Sequence, residues 1–176
     1  CGCNKCDDDN ESPKLDFFCL ILYNDQGEDM GIHGCATSND WVYNDLSESE
    51  EAYFLSNDTI SLSGTNSANV SRAAAYPVPV AQGGLFHFQL YGPVSGGPVK
   101  LQLAIIDENK NVLIQHTLKV TLNQDIAIQV PADKFNRGQF YRVYYRASAQ
   151  NSPVVFEGYG NIVVCKNPPV FDIDTD

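Results

Sequence analysis

Between residues 85 and 130 apolar side chains recur at every second position in runs cut by turn residues, and this restricts the chain to antiparallel sheet. Phe86, Phe88 and Leu90 alternate with His87, Gln89 and Tyr91, and Leu101, Leu103 and Ile105 follow turns at Gly92-Pro93 and Gly96-Gly97-Pro98. Asp107-Glu108-Asn109-Lys110-Asn111 reads as a hairpin turn; Val112-Leu113-Ile114, then Leu118, Val120 and Leu122, then Ile126, Ile128 and Val130 carry the pattern on. A period of two sends one set of side chains to a buried face and the other to water. Short strands with turns about every eight to twelve residues predict an all-β sandwich of two antiparallel sheets. With 176 residues, 43% of them hydrophobic, one well-buried domain needs no disulfide scaffold.

The N-terminal third is less regular. Leu15 to Tyr23 is almost continuously apolar, as a strand covered on both faces requires, and ends at the turn Asn24-Asp25-Gln26-Gly27, with Glu28 to Gly31 continuing the loop. Asp25, Glu28 and Asp29 offer oxygen ligands to calcium, although their spacing is not that of an EF-hand loop. Trp41-Val42-Tyr43 stands as an isolated aromatic cluster, Glu48 to Glu51 suggests one helical turn, and Tyr53-Phe54-Leu55 and Thr59 to Ser63 read as strand pieces. Residues 64–84, rich in Ser, Asn, Ala, Pro and Gly, read as a long loop, either a linker or a ligand loop, with Tyr76-Pro77-Val78-Pro79-Val80 extended. The expected plan is an acidic tether over 1–14, a strand-and-loop segment over 15–63 packing on the sandwich, the loop 64–84, a sandwich core over 85–167 and an acidic tail over 168–176.

The formal charge of −11 argues against nucleic acid as a partner, since such surfaces need Lys and Arg to displace counterions. The acidity is local. Residues 1–58 hold fourteen acids against Lys5 and Lys14, net −12, whereas residues 59–176 hold eight acids against nine bases, net +1. No apolar run approaches the roughly 18 residues that a membrane-spanning helix needs. Nucleophile elbows, zinc-protease helices and phosphate loops do not occur. His33, His87 and His116 are far apart, although strand pairing could join the last two, and Asp107-Glu108 and Glu50-Glu51 sit in turn and helix-cap contexts. No enzymatic activity and no cofactor are expected from these residues.

Phe135-Asn136-Arg137-Gly138-Gln139-Phe140-Tyr141 resembles the fibronectin type III pattern in which an apolar residue, a spacer, usually Pro, and Gly precede the Tyr of a tyrosine corner. Arg137 stands where that Pro is usual. The resemblance covers roughly Leu85 to Cys165 and implies an immunoglobulin/fibronectin III-like antiparallel β-sandwich with an N-terminal strand-and-loop extension. With Tyr141 inward, Val143, Tyr145 and Ala147 point inward as well, leaving Phe140, Arg142, Tyr144 and Arg146 on the outer face. The row Arg142, Tyr144, Arg146, with Lys100 and Gln102 as expected neighbours on an adjacent strand, could hold a carboxylate or stack on a sugar; it could equally dock the acidic N-terminal segment.

Cys1 at the head of the chain, in place of Met, reads as the product of lipoprotein processing, with diacylglycerol on its thiol and an acyl chain on its amine. Acyl chains at about 0.8 kcal/mol per buried CH2 make such an anchor stable. Behind it Lys5, Asp7, Asp8, Asp9 and Glu11, with Cys6 inserted, resemble the export tag of Bacteroidetes surface lipoproteins, which implies a protein lipid-anchored in the outer membrane and facing the medium. An oxidising compartment would permit bridges among Cys3, Cys6, Cys19, Cys35 and Cys165; Cys35 with Cys165 is the expected long-range pair. A zinc site at Cys3-x-x-Cys6 is disfavoured, because no second ligand pair follows at the required spacing. By analogy the expected function is a non-catalytic accessory or ligand-binding subunit of a TonB-dependent uptake complex for glycan or peptide, beside SusC/SusD-like transporter subunits. A fimbrial or adhesive structural subunit is the alternative.

Overall fold

The computed structural model describes residues 15, 20–33, 40–54, 60–62, 69–93, 97–149 and 152–166. In chain order these form β1 (Leu20–Tyr23), β2 (Asp29–His33), α1 (Glu48–Glu51), β3 (Arg72–Tyr76), β4 (Val80–Ala81), β5 (Leu85–Tyr91), β6 (Pro98–Ile106), β7 (Val112–Thr121), β8 (Ile126–Gln129), β9 (Phe140–Ala149) and β10 (Ser152–Cys165). The fold is all-β. A five-stranded sheet runs β4-β10-β9-β6-β7, a three-stranded sheet runs β3-β5-β8, and β1 and β2 make a separate hairpin. Pairing is antiparallel except between β4 and β10.

The two larger sheets share one core, and the alternation between 85 and 130 supplies much of it. Phe86, Phe88 and Leu90 of β5 and Ala73 and Ala75 of β3 are buried in the same cluster as Leu101, Leu103 and Ile105 of β6. Tyr141, Val143, Tyr145 and Ala147 of β9 join them. Each fully buried Phe, Leu or Ile contributes about 1.5–3 kcal/mol relative to exposure. The tyrosine corner forms as its spacing suggests: the Tyr141 hydroxyl accepts from the Asn136 N–H at 2.6 Å and its ring tilts against Phe135 at 4.7 Å. Gly138 takes φ +73°, a left-handed conformation that glycine adopts without a Cβ clash.

Several expectations are corrected. Residues 64–84 are not one long loop, because β3 and β4 lie within them. The Arg72-Ala73-Ala74-Ala75-Tyr76 run shows no alternation, since its last four residues are buried on both faces. One face joins the core; over the other lies the β1–β2 hairpin, whose Gly27 abuts the Tyr76 ring and whose Tyr23 exchanges backbone hydrogen bonds with Val78 at 3.0 and 3.2 Å. Pro77 and Pro79, each after a cis bond, have no N–H for a ladder, and across them the chain leaves the three-stranded sheet and joins β10.

Residues Asp29 to Gly31 belong to β2 rather than to a loop. Every residue of β2 is exposed, so its pairing with β1 leaves no hydrophobic signature. Asp29 accepts from the Gly31 N–H at 2.7 Å, and Glu28 accepts from the Asn24 amide at 2.7 Å, so two of the three carboxylates considered for calcium serve the hairpin. Tyr53 and Phe54 follow α1 in a turn, and residues 60–62 form no strand. Val112 to Thr121 is one ten-residue strand, bulged near Ile105 and Ile106 of its partner. Cys1, Cys3, Cys6, Cys19 and Cys35, the tether 1–14 and the tail 168–176 lie outside the described residues. Cys165, expected to bridge to Cys35, carries a free, half-buried thiol.

Candidate functional site

Period two directs Arg142, Tyr144 and Arg146 of β9 away from the shared core, and there residues 40–54 cover them. Tyr144 is 1% exposed and forms a second apolar cluster with Leu46, Phe54, Ala104 and Ile106. The row is therefore covered rather than open, and two acids of the N-terminal segment, Glu50 and Glu51, contact Tyr144 and Arg146. Aromatic packing and ion pairs both hold the contact. Tyr53 tilts against Tyr144 at 5.3 Å, and the Arg146 guanidinium lies 5.3 Å from the Phe54 ring centroid.

The helical turn supplies the acids. Glu50 Oε2 accepts from the Ser47 N–H at 2.9 Å and from its hydroxyl at 2.7 Å, while Oε1 accepts from the Tyr144 hydroxyl at 3.0 Å. Burial pushes the Glu50 carboxyl up, but these hydrogen bonds and the Arg142 charge outweigh it and hold the group below the usual carboxylate range. Tyr144 is pushed well up by burial and by the neighbouring Glu50 charge. Arg146 pairs with Glu51 at 2.5 Å and, through Nε, with Glu157 of β10 at 2.8 Å. Glu157 also accepts from the Leu46 N–H at 3.3 Å, so a buried carboxylate joins β10, β9 and the segment.

Trp41 anchors the other end. Its N–H donates to the Tyr159 carbonyl at 2.8 Å, its carbonyl accepts from the Ala73 N–H at 3.0 Å, and the Asn44 N–H donates to the Glu157 carbonyl at 2.9 Å. Residues 41–44 thus run along β10 short of the part that β4 covers, and they link the two sheets. The indole enters the core, stacked on Tyr145 at 6.1 Å and tilted against Phe88 at 6.2 Å. Glycine in β10 makes room: a Cβ on Gly160 would overlap the indole and one on Gly158 would overlap the Val42 carbonyl.

Beside Trp41, Asp40 is 3% exposed. Arg142 Nε donates to Asn161 Oδ1 at 3.0 Å and Asn161 Nδ2 donates to Asp40 Oδ1 at 2.8 Å, so one amide links guanidinium to carboxylate. Burial pushes the Asp40 carboxyl up to about 6, against the pull of Asn161 and Arg142. Arg142 also lies over the Tyr159 ring at 4.5 Å.

Sequence reasoning found the row but missed Asp40, Asn161 and Glu157, which no local pattern distinguishes from surface polar residues. The alternate glycines 158 and 160 were the available signal for a close approach to β10. His87 and His116 lie in different sheets, opposite Ala127 and Leu103, and strand pairing does not join them. Among the described residues no three His, Cys, Asp or Glu side chains gather as a metal cluster. No family model matches the chain, and no curated protein matches it in sequence.

Proposed function

We propose that the protein is a non-catalytic outer-membrane surface lipoprotein that docks, as an accessory or ligand-binding subunit, on a TonB-dependent SusC/SusD-like importer of glycan or peptide. The observation that carries a docking role is apolar exposure on the N-terminal third. Of the six large apolar side chains at least 40% exposed among the described residues, four lie there, Met30 and Ile32 of β2 and Val42 and Tyr43 beside β10, the other two being Leu85 and Val112. Large exposed apolar side chains on a rigid support are what a partner protein covers. The export-tag resemblance of Lys5, Asp7, Asp8, Asp9 and Glu11 supports the surface setting and a lipid on Cys1. We assign the sandwich to the immunoglobulin/fibronectin III type, on the support of its strand order and tyrosine corner.

Mild-detergent purification of the native protein from membranes tests the reading. A co-purifying β-barrel and a Cys1 mass raised by diacylglycerol and acyl chains are expected; isolation without a barrel would count against the importer. The adhesive alternative is favoured by one feature, the length of β7, a ten-residue strand at the end of the five-stranded sheet. Concentration-dependent polymers of the purified chain would select it.

A further inference from the structure

Residues 40–44 join the two larger sheets through backbone hydrogen bonds of the Trp41 and Asn44 N–H groups to β10 and of the Ala73 N–H of β3 to the Trp41 carbonyl. Three unfavourable features meet at this contact. Trp41 takes φ +64°, the left-handed region that is costly for a residue with a Cβ. Its indole N–H is buried and finds no acceptor among the described residues, so a donor has lost water without gaining a partner. Beside it Asp40, 3% exposed, is an acid whose charged form burial disfavours. Against these stands the packing of the indole on Tyr145 and Phe88. A segment that gathers its costs in this way belongs to the part of a fold that opens first.

We propose that Asp40 and Trp41 form a pH-sensitive latch: ionisation of Asp40 releases residues 40–44 locally while the sandwich stays folded. The groups that act on Asp40 from the packed strands are Tyr23 of β1 and Arg142 and Tyr145 of β9, with Asn161 of β10 linking it to Arg142. Asp29 of β2 and Arg72 of β3 act on Tyr23 in turn. Burial pushes the Tyr23 hydroxyl up to about 12 and the Tyr145 hydroxyl well above its ordinary value, and an arginine is charged throughout the neutral range. None of these three changes charge between pH 4.5 and pH 7.5, which leaves the step to Asp40. The closed latch is favoured most below about pH 3.8 and loses that preference as pH rises through about 6. Opening frees the Glu157 and Tyr159 carbonyls on β10 and the Ala73 N–H on β3 together, so unpaired groups appear on two sheet edges at once. It also lifts the indole beside the already exposed Val42 and Tyr43. The latch stands apart from the importer reading, because it belongs to the chain whether or not a barrel partner exists.

Native-state hydrogen exchange of the full chain, in dilute urea and over a series of pH values, tests it. The Trp41, Asn44 and Ala73 amides are expected to exchange ahead of the β6–β9 ladder amides and with little dependence on urea, as a local opening requires. Their protection factors fall roughly twentyfold between pH 4.5 and pH 7.5 and level off above about pH 6, given a carboxyl at about 6 when closed and 3.8 when open. Asp40→Asn removes that fall. Glu51→Gln, which takes away a half-exposed acid at the helical end of the same segment, keeps it. Exchange of the three amides together with the ladder, protection independent of pH in the unsubstituted chain, or an equal fall in Asp40→Asn would overturn the latch. The first two outcomes need no variant, so the test holds even where a substitution disturbs folding.

Discussion

Asp40 is held 3% exposed between Trp41 and the Asn161 amide, and burial raises its carboxyl from an ordinary 3.8 to about 6. A carboxyl whose folded value lies above its unfolded one binds its proton more tightly in the native state. Its contribution is complete below about pH 3.8 and is lost as pH rises through about 6. About two pH units at about 1.4 kcal/mol each make this roughly 3 kcal/mol. Asp40→Asn, which keeps the shape and the acceptor facing Asn161, is expected to remove that loss. Urea midpoints at pH 4 and pH 7 test this, and parallel pH dependence in the two proteins would refute it. Tyr141 illustrates a different single-residue effect. Tyr141→Phe keeps the ring against Phe135 but leaves the Asn136 N–H without its acceptor, a cost of about 1–3 kcal/mol. A fall in Tm of about 3–8 °C is the expected reading.

Residues 40–54 act as one strap with two kinds of attachment, and the two should respond differently to substitution. At the Trp41 end shape dominates. Gly160→Ala puts a Cβ where the indole stacks, so the strap must lift. Trp41 is the only tryptophan, which makes its fluorescence a local reporter. Red-shifted emission in Gly160→Ala, with faster hydrogen exchange at the Trp41 and Asn44 amides, is expected; unchanged emission would mean that the strap is not seated by this glycine. At the helical end charge dominates, but unequally. Glu51 is 45% exposed at its side chain, so Glu51→Gln should change stability by no more than about 0.5 kcal/mol. Glu157 is only 9% exposed at its side chain, so Arg146→Met strands a buried carboxylate and should cost about 3–5 kcal/mol by chemical denaturation. Similar losses from both changes would contradict this division.

At the scale of the molecule, the charge asymmetry has a structural counterpart: the acids of the strap meet the arginines of β9, so part of the N-terminal excess is neutralised within the chain. The long edge at β7 is also managed. Lys119 lies on it, Lys134 Nζ donates to the Leu113 carbonyl at 3.2 Å, and a bulge interrupts its register. Such devices oppose edge-to-edge pairing. The purified chain is therefore expected to keep the mass of one chain over a hundredfold range of concentration in light scattering. Mass that grows with concentration would move the balance to the adhesive reading.

The all-β class, the strands from β5 to β9 and the tyrosine corner were legible in the sequence because each rests on a local period or a fixed short spacing. The inward set of β9 and the outward Arg142, Tyr144 and Arg146 followed from Tyr141 alone for the same reason, whereas Phe140, expected outward, packs against the shared core. What covers the outward set was not legible. Tyr144 meets Glu50 across 94 positions and Asn161 meets Asp40 across 121, and no local pattern encodes contacts at that separation. Strands β2, β3 and β4 escaped because their burial departs from alternation: every residue of β2 is exposed, and the last four of β3 are buried. The sequence by itself determined which side chains face each way along a strand; only the tertiary structure decided which of those faces meets water, because that depends on where a remote segment comes to rest.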